Sequence, residues 1–229
     1  NCFVNIMSVY RRKLSEIKKN GSIDIIKINF GGKKISLKVV DDSNETVGLL
    51  TTWRKKSRRM FATNFRMSNT RTKNWIQQNI LKNPDCVLFM IYVNDKKVGN
   101  VSIDLFNEKL NSVELDNYMK DPDYIFPGMM TIVDKIFLKW IFEELKVSRI
   151  TTKIFSDNHK MLNIHIRCGG WNIINVIPLK MIKTVDGWTW KETKLRPNEF
   201  AERYMNVLEV KYEKLIETFG KIDYTFIKL

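Results

Sequence analysis

The order of apolar periodicities in this chain predicts a mixed α/β fold built on a mostly antiparallel sheet. Three observations carry that prediction. The runs "CVLFMIYV", "VGNVSIDLF" and "NSVELDNYM" read as three consecutive strands, the first two joined by a polar turn at Asn94-Asp95. The segment "TIVDKIFLKWIFEEL" sets Ile132, Ile136, Phe137, Trp140, Ile141 and Leu145 at helical spacing. A single crossover then leads to the β-branched run "RITTKIF", where a doubly wound sheet would repeat the βα unit.

The remaining elements follow in order. Residues 8–29 read as a short helix and a strand. "FGGKKISLKVV" gives a glycine turn and a strand with Ile35, Leu37 and Val39 on one face. "DDSNETVGLLTTWRKK" starts a helix behind acidic and Asn residues. Ser68 is placed to cap the next helix, which carries Trp75, Ile76 and Ile80. "NHKMLNIHIRC" reads as a helix and "WNIINVIPLKMI" as a strand. "RPNEFAERYMNVLEVKYEKLIETFG" reads as a closing helix, with Pro197 in its first turn and Gly220 past its end. The chain divides as an N-terminal extension (1–32), a catalytic domain (33–182) and a C-terminal extension (183–229) packed on it.

Composition limits the function classes. The 229 residues are 44% apolar and 28% charged, enough for one large domain with a buried core. No apolar run is long enough to cross a membrane. The opening "NCFVNIMSVYRRK" has its apolar part before its basic part, unlike a secretion signal, and the residues before Met7 are given no role. Three sparse cysteines (Cys2, Cys86, Cys168) fit a reducing, cytoplasmic setting, and with two histidines they give no metal-ligand spacing. Lys and Arg exceed Asp and Glu by 39 to 25, a net charge of +14. This reads equally as a Lys-rich surface or as attraction to an anionic partner. The basic residues are dispersed, and no zinc-finger or RNP-type signature occurs, which favours phosphorylated small molecules over nucleic acid.

Three segments together resemble the GNAT family of acetyl-CoA-dependent N-acetyltransferases, over roughly residues 33–182. They are "WRKKSRRMF…MSNTRTKNWI", "VELDNYMKDPDYIFPGMMTIVDKIFLKWIFEEL" and "RITTKIFSDNHKMLNIHIRCGGW". The resemblance implies a central sheet whose fourth and fifth strands splay apart, with acetyl-CoA in the opening and no metal. The family's Gln/Arg-x-x-Gly-x-Gly/Ala loop aligns with Asp123, Phe126 and Gly128, so only the last glycine is retained. The helix N-terminus behind it still offers backbone amides to a pyrophosphate, from Phe126, Gly128, Met129, Met130 and Thr131, whereas Pro127 has none to give. Tyr118 and Met119 are implied as the backbone that pairs with the pantetheine arm, and Asn158 as a further bond to it.

His165 stands seven residues after Asn158, where the family commonly has a tyrosine that protonates the leaving thiolate. An imidazole can do that work near neutral pH; a packed helix histidine is the equal alternative. Glu114 and Asp116, two apart on one strand, are candidates for deprotonating the amine. Trp53, Arg54, Arg58, Arg59 and Arg66 form an arginine-rich segment suited to phosphates, with Trp53 read either as a stacking platform or as core. The preferred acceptor is a nucleotide-linked deoxy amino sugar. Alternatives are acetylation of a protein N-terminus or lysine, or a non-catalytic module binding nucleic acid or another anion. A homodimer is left open.

Overall fold

A computed structural model describes residues 8–227; the opening "NCFVNIM", with Cys2, lies outside the described residues. The elements are α1 (Val9–Lys19), β1 (Ile26–Phe30), β2 (Lys33–Val39), α2 (Asn44–Lys56), β3 (Thr63–Phe65), α3 (Asn69–Trp75), β4 (Val87–Val93), β5 (Lys96–Asn107), β6 (Ser112–Lys120), α4 (Met129–Glu144), β7 (Arg149–Phe155), α5 (His159–Leu162), β8 (Asn172–Thr184), β9 (Gly187–Glu192), β10 (Arg203–Val210), α6 (Tyr212–Glu217) and β11 (Asp223–Phe226). Both α3 and α5 continue as π-helical turns, over Ile76–Leu81 and Asn163–Cys168. None of the described helices is long and apolar enough to span a membrane.

The eleven strands of the described residues lie in one sheet, in the order β11-β1-β2-β4-β5-β6-β7-β10-β8-β9-β3. Every neighbouring pair is antiparallel except β6 and β7. The meander forms as its sequence predicts. Asn94 and Asp95 both take positive φ (46° and 67°), the twist that closes a two-residue hairpin between right-twisted strands. β4 is buried on both faces, apart from a half-buried Tyr92, because helices cover both sides of the sheet. α1 and α4 cover one face, where Leu14, Ile17, Phe89, Phe137 and Trp140 pack together. α2 and α3 cover the other, where Val47, Leu50, Trp53, Ile76 and Ile80 pack on Leu88 and Met90.

The predicted closing helix is not formed. Residues 203–210 make β10, inserted between β7 and β8, and only Tyr212–Glu217 is helical. Asn206, Leu208 and Val210 alternate inward, so the period of two governs that stretch. β11 pairs with β1, and β9 with β3. Near both ends of the described residues, β1 and β11 therefore extend the same sheet.

Candidate acetyl-transfer site

Parallel pairing between β6 and β7 covers only Ser112–Leu115 against Arg149–Thr152. The last link is the Thr152 hydroxyl donating to the Leu115 carbonyl at 3.0 Å. Beyond it, residues Asp116–Lys120 have no strand on their β7 side, and the two strands splay apart. That leaves a line of backbone donors and acceptors facing an opening, as a strand edge does.

A β-bulge in β6 decides what faces this opening. Asn117 takes φ 54°, and the register against β5 slips between Asn100 and Ser102. The slip is held by two buried side chains of β5. Ser102 Oγ donates to the Asp116 carbonyl at 2.6 Å, and the Asn100 amide donates to the Asn117 carbonyl. One extra residue inverts the alternation of a strand. Val113 and Leu115 therefore pack toward α4, but so does Tyr118, while Met119 packs with the α2–α3 core. Asp116 and Tyr118, two apart in sequence, consequently serve opposite faces of the opening.

On the α2 face, Asp116 is open to solvent, and Asn117 Nδ2 donates to it at 3.3 Å. Crowding by the surrounding protein raises its pKa. The backbone N–H of Asn117 opposes that rise, Asp104 and Glu114 add to it, and Arg54 partly offsets it. Asp104, though exposed, is raised too, first by the protein packed around it and then by Glu114. Glu114 is tied to Lys153 at 2.9 and 3.0 Å. Of the two carboxylates expected to act as base, Asp116 is thus the unpaired one.

The α4 face is buried. His165 is 1% exposed, and its Nδ1 lies 3.1 Å from Oδ2 of Asp134, itself 1% exposed. The ring stands 5.7 Å from Tyr118 and 4.9 Å from Trp171, centroid to centroid. Burial and the neighbouring Asp134 hold the Tyr118 phenol well above its ordinary pKa. His165 is therefore no free group in the opening but part of its inner wall. Gly169 explains part of the double glycine. A Cβ there would sit 2.9 Å from Trp171 Cδ1 and 3.1 Å from Asp134 Oδ2, so a side chain would push into the cluster.

The loop before α4 retains the feature that matters for a phosphate. Gly128 is the N-cap in the left-handed region, φ 77°, and its carbonyl accepts from Ile132. The amides of Met130 and Thr131 have no carbonyl one turn back to bond, whereas Met129 already donates to Phe126 at 3.3 Å. Phe126 does not point into solvent; its ring packs on Phe30, centroids 5.6 Å apart. Lys33 Nζ lies 4.7 Å from the Phe126 ring and Lys96 Nζ 5.5 Å from the Tyr124 ring, so cations surround the loop. Asp123 turns away to Lys56. Asn158 caps α5, its Oδ1 accepting from Met161 at 3.3 Å.

This fold is shared by known acetyltransferases. A family model described as "Acetyltransferase (GNAT) domain" matches residues 40–170, more than half of the chain. The chain belongs to the GNAT acetyltransferase family. It is thereby an acyltransferase, with N-acetyltransferase activity. No curated protein sequence matches it. Solved GNAT structures share its fold at low identity. The ribosomal L7/L12 α-N-protein acetyltransferase RimL has a TM-score of 0.62 at 14% identity, covering 81% of this chain and 93% of RimL. A spermidine N-acetyltransferase from Vibrio cholerae, in complex with CoA and spermine, gives 0.61 at 12%, covering 80% and 98%. The microcin C7 self-immunity acetyltransferase MccE, in complex with acetyl-CoA and AMP, gives 0.55 at 15%, covering 77% and 92%.

Within the GNAT frame, β2, β4, β5 and β6 are the first four strands and β7 the fifth. On the acceptor side, the core alternative holds for Trp53. Trp53 is 2% exposed inside the α2–α3 core, so it offers no stacking face to a ligand. Arg54, one residue on, turns toward the opening. Its guanidinium lies 3.8 Å from the centre of the Phe61 ring and donates to the Thr63 carbonyl at 3.3 Å. Arg58 and Arg66 are exposed. Arg59 is exposed as well, and its carbonyl receives Arg203. Asp104, Asp134 and the Asn100–Ser102 pair escaped the sequence reading. Only Asp134 left a signal there, as a carboxylate three and seven residues ahead of Phe137 and Ile141 on an apolar face.

Gly128→Val tests the loop. A β-branched residue at φ 77°, with its Cβ 3.2 Å from the Phe30 ring, carries a strain of about 1–3 kcal/mol or displaces the backbone. The expected result is acetyl-CoA binding weakened about 10–100-fold in calorimetry, since 1.4 kcal/mol is tenfold. Unchanged affinity would remove the loop from cofactor binding.

Proposed function

We propose that this chain acetylates the primary amine of a nucleotide-linked deoxy amino sugar by direct attack on acetyl-CoA. The observation that carries the mechanism is the Asn117 bulge, which sets Asp116 and the His165 cluster on opposite faces of one opening. Asp116 takes the proton from the attacking nitrogen as the N–C bond forms. His165 protonates the departing sulfur as the C–S bond breaks. A backbone N–H of β6 beyond the bulge polarises the carbonyl oxygen, and electrostatic stabilisation of this kind is commonly the largest catalytic term. Tyr118 and Met119 present backbone to the pantetheine arm, with Asn158 beside it. Gly128, Met130, Thr131 and Lys33 receive the pyrophosphate. Arg54, Arg58 and Arg66 suit an anionic acceptor. MccE, an acetyltransferase of the same fold, is described in complex with AMP, which supports an acceptor that carries a nucleotide.

A second reading rests on Asp104, Glu114 and Asp116, three carboxylates gathered on the acceptor side of a chain with net charge +14. They suit a polycation, and a relative of this fold is a spermidine acetyltransferase. CoA release should be measured with nucleotide-linked amino sugars, spermidine and N-terminal peptides. Preferential turnover of an amino sugar is expected. Preference for spermidine would move the arginines out of the acceptor site, and preference for peptides would favour protein acetylation.

A further inference from the structure

Helix α4 carries one buried carboxylate among apolar side chains. Asp134 shares the buried face of this helix with Val133, Phe137 and Ile141. Its Oδ2 meets His165 Nδ1 at 3.1 Å, while its Oδ1 is buried without a hydrogen-bond partner. Nearby, Tyr118 Oη and Trp171 Nε1 are likewise buried and unpartnered. Buried ionic pairs of this kind seldom raise stability, because apolar replacements of similar volume are often neutral or stabilising. Packing alone therefore does not account for an aspartate here.

We propose that Asp134 is a positioning residue for His165, and that the pair forms the acid side of the acetyl-transfer site; this rests on the reading of His165 as the group that protonates the thiolate. A third group that fixes one ring nitrogen determines which nitrogen is left for chemistry. With Nδ1 committed to Asp134, Nε2 is the nitrogen that serves the sulfur, and it has no partner among the described residues. Tyr118 and Trp171 hold the ring edge-on and tilted, and Gly169 leaves room for the carboxylate. In the step itself, the C–S bond breaks, the proton on Nε2 passes to sulfur, and the imidazole is left neutral. It regains a proton from solvent between turnovers. The other groups near the ring from adjoining elements are the neutral phenol of Tyr118 on β6 and the indole of Trp171. On its own helix, Arg167 is exposed.

The chain has two histidines, so both are resolved by nitrogen-15 NMR. In the wild-type protein His165 is expected to carry its proton at Nδ1, hydrogen-bonded, whenever it is neutral. A neutral Nε2–H tautomer would overturn the proposal without any variant. Asp134→Asn is expected to lower kcat about 10–100-fold, the scale of a misaligned reacting group, at unchanged acetyl-CoA affinity. Asp134→Leu keeping full kcat, with an equal or higher Tm, would reduce the pair to packing. His165→Asn separates the two ideas. If it also keeps full kcat, the acid assignment itself has failed. If it loses kcat while Asp134→Asn does not, only the role of Asp134 falls.

Discussion

Asp116→Asn is expected to lower kcat by about 10²–10⁴-fold, the contribution of a positioned general base. The substitution keeps the shape and the Asn117 contact, so the bulge and the opening should survive, and acetyl-CoA affinity should not change. The pH profile gives a sharper signature. A base must be ionised to accept a proton, so the rate rises with pH as Asp116 loses its own. Crowding, then Asp104 and Glu114, raise its pKa, which moves that limb upward from the ordinary carboxylate range. In Asp116→Asn the limb should vanish and the residual rate should be flat there. The stability consequence has the opposite sign. A carboxyl whose folded pKa is raised stabilises the fold below its unfolded pKa, and that stability is lost as pH rises through the folded value. At neutral pH the wild-type charge is therefore unfavourable, and Asp116→Asn should melt no lower than wild type. A variant with a kcat near wild type would transfer the base role to Glu114 or to solvent.

The parts of this design that were legible in sequence are those written as long single-period runs. The meander from β4 to β6, helix α4 and strand β7 each carry one uninterrupted pattern, and each formed where that pattern placed it. β10 was misread because Glu202, Glu209 and Lys211 interleave its apolar positions in a way a helix also tolerates. Only the vacant slot between β7 and β8 resolves the ambiguity. The bulge was unreadable for a different reason. Asn117 tolerates the left-handed region, but so does any surface turn asparagine, and the two side chains that hold the slip, Asn100 and Ser102, come from another strand. This one backbone feature decides that Glu114 and Asp116 act on one face and Tyr118 on the other, which spacing alone could not decide. Trp53 and Arg54 show the same limit. Neighbours on one helix point about 100° apart, and the helix phase, not composition, put the tryptophan in the core and the arginine at the opening.

His165→Ala should match the Asp116 variant in size, a loss of about 10²–10⁴-fold in kcat, but by a different route. The thiol of CoA is a weak acid, so its thiolate departs faster when a proton reaches it. The acid must therefore act as the C–S bond breaks, and its loss appears in turnover and not in the affinity for either substrate. Because His165 is buried, the alanine variant also leaves a cavity between Tyr118 and Trp171. His165→Asn answers that difficulty. Its amide can still donate to Asp134 while offering no acid, so a folded variant with the same loss would assign the effect to chemistry. Added imidazole, small enough for the cavity, is expected to restore part of the alanine variant's rate and none of the asparagine variant's. The burial of His165 is compatible with this role, since a dry wall strengthens the interaction of a charged donor with a developing thiolate. If both His165 variants turn over like wild type, the proton must come from elsewhere. Tyr118, which lies on the unpaired half of β6 against the same carboxylate, then becomes the residue to replace.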